Sequence, residues 1–239
     1  MISIITCTMR DSCMDNVFQN YTRQNYKQKE LIIVLTKKDM DVKMWRQEAS
    51  KYDGVKVFHI IDSWSLGKCL NFAVQQARYN WIANLEDDDY YATHYLTSSL
   101  REISRTKADV IGKTSVYLYM PVKKVLTIFN SNNEHQYVND QKRVGAQYLQ
   151  GGTLFFRRDI NHSVPFRDQI VELDRLFCSD CLHEGYKVYS AGKENFVYIR
   201  NDTGTTHTWK VPNDLILNVS KVVAYTDDFI PYIEKRDVE

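Results

Sequence analysis

The sequence predicts an α/β domain with a mainly parallel β-sheet flanked by helices, followed by a smaller mixed α/β part. Two observations predict it: strand and helix patterns alternate through the first 107 residues, and a run of four acids directly follows the fourth strand. Such alternation implies a parallel sheet with right-handed crossovers. The carboxyl ends of parallel strands meet at one edge, where α/β proteins bind ligands, so we expect the acids to lie in a binding site.

The four predicted strands of the first half are short apolar runs. They are Ile2 to Thr6, Leu31 to Leu35, Val55 to Ile61 and Trp81 to Leu85. Unbroken apolar runs are typical of strands that helices cover on both faces. We therefore expect these strands at the centre of the sheet.

Four predicted helices separate and follow these strands, and each shows apolar residues three and four positions apart, which places them on one helical face. The four faces are Met14, Val17, Phe18 and Tyr21; Val42, Trp45, Ala49 and Tyr52; Leu70, Ala73, Val74 and Ala77; and Leu96, Ser99, Leu100 and Ile103.

The second half of the sequence is less regular. Its predicted elements are a hairpin from Val116 to Met120 and Lys124 to Phe129, a strand from Gly151 to Arg158, a helix carrying Leu173, Leu176, Phe177 and Cys181, strands at Tyr186 to Tyr189 and Phe196 to Ile199, and a helix from Leu215 to Val223. We predict a single domain over residues 1–210, with halves at 1–107 and 108–210, and a C-terminal helix and tail over 211–239.

Composition and missing motifs exclude several classes of function. The chain has 239 residues, 44% of them hydrophobic, and a net charge of +1, so no nucleic-acid partner is expected. No apolar run reaches 18 residues and no signal peptide is visible, so we expect no membrane-spanning segment and a cytoplasmic protein. Neither a G-x-G-x-x-G nor a G-x-x-x-x-G-K-[ST] phosphate loop is present.

The acid run Glu86-Asp87-Asp88-Asp89 admits two interpretations. Adjacent carboxylates repel one another unless water or a cation screens them. A solvated acidic turn is the common case. A divalent-metal site is the alternative, since Mg²⁺ and Mn²⁺ take carboxylate oxygens and in turn hold phosphates.

Several ordered segments decide between these interpretations, because together they resemble the family 2 glycosyltransferases of the GT-A fold. The segments are Ser3 to Thr8; Asn16 to Gln24 with Tyr26 and Glu30 to Val34; Gly67 to Asn71; Glu86 to Asp89, which matches a D-x-D-D metal motif; Gly151 to Thr153 with Phe155 to Arg158; Asp174 to Phe177 with Gly185 to Tyr189; and His207 to Lys210. The resemblance covers about residues 1–210.

The resemblance implies a metal-dependent, inverting hexosyltransferase that moves a sugar from a UDP-sugar to a hydroxyl acceptor, such as a surface or cell-wall glycan. The cofactor would be Mn²⁺ or Mg²⁺. The implied catalytic base is Asp174, with Glu172 as its rival. The implied nucleotide-binding residues are Thr8, Arg10, Asp39, Lys68, Asn71, Asp87, Gly152 and Trp209. The implied metal-site residues are Asp88, Glu86, Asp89 and His207.

Two departures from the family pattern keep a second function open. Glu86 stands where the motif has an aspartate, and Leu173 precedes Asp174 where the family has a glutamate. A non-catalytic nucleotide-sugar-binding domain is therefore the alternative. Simpler roles also exist for single residues: Asp39 as a turn acid, Lys68 as a surface lysine, His207 as a structural histidine and Trp209 as a core aromatic.

Overall fold

The computed structural model describes residues 1–61, 63–139, 148–201 and 211–234. Its largest layer is an eight-stranded sheet, called here the main sheet, with strand order β3-β2-β1-β4-β10-β6-β11-β9. These strands are β1 (Ile2–Thr8), β2 (Lys29–Leu35), β3 (Val55–His59), β4 (Trp81–Asn84), β6 (Val110–Gly112), β9 (Gln136–Tyr137), β10 (Phe155–Arg157) and β11 (Val188–Ser190).

The four predicted strands are confirmed as a parallel block. β1 lies between β2 and β4 and is parallel to both, and β3 is parallel to β2. Beyond β4 the sheet becomes mixed, because β10 runs antiparallel to β4 and β6. The chain therefore has the predicted α/β fold with a mainly parallel core.

Helices cover both faces of the main sheet, which explains its unbroken apolar strands. Ile4 packs into one buried cluster with α1 (Met14–Arg23) and α2 (Val42–Ala49), and Ile5 packs into another with α3 (Leu66–Gln76) and α6 (Leu173–His183). The helices are α1 (Met14–Arg23), α2 (Val42–Ala49), α3 (Leu66–Gln76), α4 (Tyr95–Thr106), α5 (Ile160–Ser163), α6 (Leu173–His183), α7 (Asn213–Asn218) and α8 (Ile230–Ile233). Among the described residues, no helix combines the length and apolar character needed to cross a bilayer.

A second sheet of five strands has the order β13-β8-β7-β12-β5. Its strands are β5 (Tyr90–Tyr91), β7 (Val116–Met120), β8 (Val125–Phe129), β12 (Phe196–Ile199) and β13 (Lys221–Tyr225). The predicted hairpin is confirmed as the antiparallel pair β7–β8. β5 directly follows the acid run, so that run connects the two sheets.

Two sequence predictions of local structure are wrong. Gly151–Thr153 forms a 3-10 turn ahead of β10, because the chain bends there to approach other segments closely. The helix predicted from Leu215 to Val223 ends at Asn218, and the chain continues as β13, which pairs with β8. The C-terminal part thus contributes a strand to the second sheet, and the boundary near residue 210 lies outside the described residues.

Candidate active site

The acid run forms a turn between β4 and β5, called here the acid turn (Glu86–Asp89). Because β4 is a central parallel strand, its carboxyl end places the turn at the ligand-binding edge of the main sheet. Asp87 and Asp89 are only 2% and 1% exposed, whereas Glu86 and Asp88 are partly exposed. The solvated turn considered from the sequence is therefore wrong for half of these acids.

Arg10, from the loop after β1, neutralises part of the acid turn. Its Nε lies 3.1 Å from Oδ2 of Asp87, its Nη2 contacts the other oxygen of that carboxylate, and its Nη1 lies 2.9 Å from Oδ2 of Asp88. The hydroxyl of Thr8 donates to the Asp87 carboxylate as well. The sequence placed Thr8 and Arg10 at this edge, but it did not predict that they pair with the acids.

Polar side chains that the sequence reasoning missed hold the turn's backbone. The amide of Asn16 donates to the backbone carbonyls of Asp87 and Asp89, each at 2.9 Å, and the amide of Asn20 donates to Asp89 at 2.8 Å. These asparagines are four residues apart on α1, so they share one helical face. A polar pair on an otherwise apolar face was the signal that could have identified them.

Burial and mutual repulsion raise the pKa values of the acids that face the cavity. Burial, with the charges of Asp87 and Asp88, raises the pKa of Glu86 to about 8. Burial and the Asp87 charge also raise the pKa of Asp88, and burial with the Asp88 charge raises that of Asp89. The site therefore favours a cation, which would relieve this repulsion.

Two adjacent glycines lie between the acid turn and Asp174. A Cβ on Gly152 would lie 2.7 Å from Cγ of Glu86 and 3.1 Å from Oδ2 of Asp89, so only glycine fits without a shift. A Cβ on Gly151 would meet Cβ of Asp174 at 3.6 Å. The glycine pair thus brings the acid turn and the predicted base to one place.

Asp174 lies in the first turn of α6 with its side chain against Gly151. Burial raises the pKa of Asp174, although backbone hydrogen bonds from Arg175 and Gly151 oppose the shift. Glu172 is far more exposed, at 58%, and its Oε2 lies 2.6 Å from Nη2 of Arg175. Of the two rivals, Asp174 has the environment of a general base with an elevated proton affinity.

One cavity of about 610 Å³ joins these groups. That volume is within the range of small-molecule and cofactor sites. The residues on its polar side are Arg10, Asn84, Glu86, Asp88, Asp89, Asn130, Gln150, Gly151, Gly152, Glu172, Asp174 and Arg175. Its remaining wall is apolar and aromatic and includes Leu66, Leu70, Phe129, Phe166, Phe196 and Tyr198.

Five of the predicted nucleotide-binding residues in the described ranges lie outside this cavity lining: Thr8 and Asp87, which bond to one another, and Asp39, Lys68 and Asn71. Asp39 is exposed and pairs with Lys37 at 3.0 Å, and Lys68 pairs with Asp168 at 2.9 Å. Asn71 bonds both the backbone amide and the carbonyl of Phe166, so it anchors the loop before α6. Nucleotide contacts by these residues stay predictions, and His207 and Trp209 lie outside the described residues.

The donor set of the acid turn fits a hard divalent cation, although its present partner is a guanidinium. No group of three or more His, Cys, Asp or Glu side chains in the described ranges is already arranged as a metal site. Nevertheless, Glu86, Asp88 and Asp89 line the cavity, and carboxylate oxygens are the ligands that Mg²⁺ and Mn²⁺ take. The Arg10 ion pairs show directly that this turn accepts positive charge.

Comparison with known proteins gives a match at the level of the family. The profile described as "Glycosyl transferase family 2" matches residues 3–164, which include most of β1, the acid turn, the glycine pair and β10. No curated protein sequence matches the chain.

Solved structures match over most of the chain. The crystal structure of S. aureus TarS 1-349 in complex with UDP-GlcNAc matches with a TM-score of 0.60 and 16% identity, over 83% of this chain and 58% of that one. A mannosyltransferase from Pyrobaculum calidifontis in complex with GDP-Man and Mn²⁺ matches with a TM-score of 0.61 and 11% identity, over 86% of this chain and 58% of that one. The chain thus spans under two thirds of these structures' lengths and shares their GT-A fold.

Proposed function

Because the chain belongs to glycosyl transferase family 2, we propose that it is a metal-dependent, inverting hexosyltransferase. It would transfer a sugar from a UDP-sugar to a hydroxyl acceptor on a glycan. The proposal rests on the glycine pair, which contacts the acid turn on one side and Asp174 on the other. A donor site and a proton acceptor are thereby joined in one cavity.

The acid turn is the proposed donor end of the cavity. Asp88, with Glu86 and Asp89, would hold Mn²⁺ or Mg²⁺, which supplies positive charge to the diphosphate that leaves. Asp87 and Thr8 are bonded to one another and orient Arg10, so these three residues shape the nucleotide end. The complexes of the two solved structures, with UDP-GlcNAc and with GDP-Man and Mn²⁺, support this assignment.

Asp174 is the proposed general base. The acceptor oxygen would form a bond to the anomeric carbon while the bond from that carbon to the diphosphate breaks. Asp174 would take the hydroxyl proton, and the electron pair of the broken bond would leave with UDP. A single displacement of this kind inverts the anomeric centre, and the elevated pKa of Asp174 favours proton transfer to it.

A non-catalytic nucleotide-sugar-binding domain is the second candidate. The observation that favours it is the ion pair of Arg10 with Asp88, the first candidate metal ligand, because the guanidinium already supplies that carboxylate with a cation. Such a domain would bind the donor without releasing UDP.

A UDP-release assay with UDP-sugars, and GDP-sugars for comparison, tests the proposal. We expect release with Mn²⁺, loss of release with EDTA, and loss of release in Asp88→Asn. Asp53→Asn, which changes an exposed acid before β3 and outside the cavity lining, is the matched control. Donor binding without turnover under every condition would instead establish the binding domain.

A further inference from the structure

The ion pair of Arg10 with Asp88 has no role in the proposed sugar transfer. One guanidinium spans two neighbouring carboxylates: two nitrogens reach Asp87, and the third reaches Asp88 at 2.9 Å. The Arg10 side chain is 23% exposed and lines the cavity, so its nitrogen on Asp88 can change partner without unfolding the core.

The two ion pairs differ in how firmly they are held. Asp87 is 2% exposed, and its carboxylate also accepts from Thr8, so its pair with Arg10 is part of the packed turn. The Asp88 side chain is 16% exposed and faces the cavity. A charge-assisted hydrogen bond to a partly exposed carboxylate is easier to exchange for another partner than one to a buried carboxylate.

We propose that Arg10 is a built-in counter-cation that competes with the divalent metal for Asp88 and is released when metal and nucleotide bind together. The inference rests on the proposed function. Metal alone must displace a guanidinium from its carboxylate, which weakens its binding. A nucleotide diphosphate in the same cavity offers the released guanidinium a new anionic partner, so nucleotide and metal favour one another's binding.

Because of this exchange, the affinity of the site for metal depends on whether nucleotide is bound. Without nucleotide, Arg10 keeps the acid turn neutralised and the metal weakly bound. With nucleotide, the same residue contributes to holding the diphosphate. Arg10 is therefore a binding residue that couples the metal site to the nucleotide site.

Calorimetric titration of the full chain with MnCl₂, with and without UDP, tests the proposal. Arg10→Ala should bind Mn²⁺ alone about 10-fold more tightly than the wild type, because the competitor is gone. The same variant should show a smaller gain in Mn²⁺ affinity when UDP is added. A merely structural role for Arg10 would lower Mn²⁺ affinity, so the direction of the change is decisive.

Two further variants serve as controls for this measurement. Arg10→Gln keeps a polar side chain of similar length and should show the same tightening if Arg10→Ala folds poorly. Arg78→Ala removes another arginine from a buried carboxylate, since Arg78 Nε lies 3.1 Å from Oε2 of Glu30 at the opposite edge of the main sheet. Arg78→Ala should leave Mn²⁺ affinity unchanged, which excludes an effect of net charge alone.

The outcomes separate this proposal from the proposed function. Unchanged or weaker Mn²⁺ binding in both Arg10 variants, in a protein that still releases UDP, overturns the exchange and leaves the transferase intact. Absence of Mn²⁺ binding in the wild type even with UDP overturns both. Tighter Mn²⁺ binding with reduced coupling to UDP supports the exchange.

Discussion

At the scale of single residues, neighbours in the acid turn have different tasks. Asp87 is buried and bonded to Arg10 and Thr8, whereas Asp88 faces the cavity. These two neighbours in the sequence therefore differ in the fold: Asp87 maintains the turn, and Asp88 lines the cavity.

The first prediction separates these two acids. In EDTA, Asp87→Asn should lower the free energy of unfolding by about 1.5–3 kcal/mol, because it removes a buried charge from its charge-assisted bonds. Asp88→Asn should cost less stability and should weaken UDP binding in Mn²⁺ more strongly. Urea denaturation and calorimetry measure the two effects, and the reverse order would exchange the roles of the two acids.

The second prediction concerns the base. Asp174→Asn should lower sugar transfer by about 10²–10⁴-fold while leaving UDP and Mn²⁺ affinities nearly unchanged, since it removes the proton acceptor alone. Glu172→Gln is the matched control and should keep most activity, because Glu172 is exposed and paired with Arg175. Greater loss in Glu172→Gln would transfer the role to that residue, and full activity in both would exclude this helix from the proton transfer.

At the scale of elements, helix α3 is placed by one close contact. A Cβ on Gly67 would lie 1.9 Å from the backbone carbonyl oxygen of Arg167, and the Gly67 amide donates to Gln169 at 3.1 Å. The start of α3 therefore packs directly on the loop that precedes α6.

The third prediction follows from this contact. Gly67→Ala should destabilise the protein by about 1–3 kcal/mol, because the added methyl group overlaps a backbone atom that cannot rotate away. Gln75→Ala, an exposed change on the same helix, should be nearly neutral. Equal thermal midpoints for the two variants would mean that the loop yields freely to the methyl group.

The fourth prediction concerns the loop between β8 and β9, which Glu134 secures to Lys193 at 2.9 Å and to Ser115 at 2.7 Å. Burial alone would raise the pKa of Glu134, but these bonds lower it to about 2. A lowered folded-state pKa means that the stabilisation is present above the unfolded-state pKa of about 4.5 and is lost as pH falls towards 2.

Glu134→Gln should accordingly reduce stability at pH 6 and flatten the loss of stability between about pH 4.5 and 2. Denaturation midpoints across this range provide the measurement. Asp53→Asn, at an exposed acid, is the control. An acid transition as steep as that of the wild type would show that Glu134 does not contribute to it.

At the scale of the whole molecule, the described residues 211–234 belong to the packed structure. Ile216 and Ile233 are 1% and 0% exposed, and they pack against residues of the second sheet. β13 adds the edge strand to that sheet through β8. We therefore propose that the part beginning at residue 211 stabilises the domain.

The fifth prediction tests this. Ile216→Ala and Ile233→Ala should each destabilise the protein by about 2–5 kcal/mol, as expected for a buried large-to-small change. Val219→Ala, at a side chain that is 70% exposed, is the matched control. Unchanged unfolding in all three variants would show that these residues form an independent tail.

The sequence by itself determined the parallel block and the position of the acid turn. Apolar runs such as Leu31 to Leu35 and helical faces such as that of Met14 and Val17 are local patterns, and alternation of strand and helix permits few topologies. The acid turn follows β4 along the chain, so its location at the sheet edge followed directly from that topology.

Only the tertiary structure decided which side chains meet there. Arg10 and Asp87 are 77 residues apart, and Gly151 meets Asp174 through a bend that sequence patterns predicted as a strand. Contacts of this kind depend on loop conformation and burial, for which no periodicity exists in the chain. Local sequence patterns therefore determined the type of site and its place in the sheet. Which charged side chains pair with one another there depends on the folded structure.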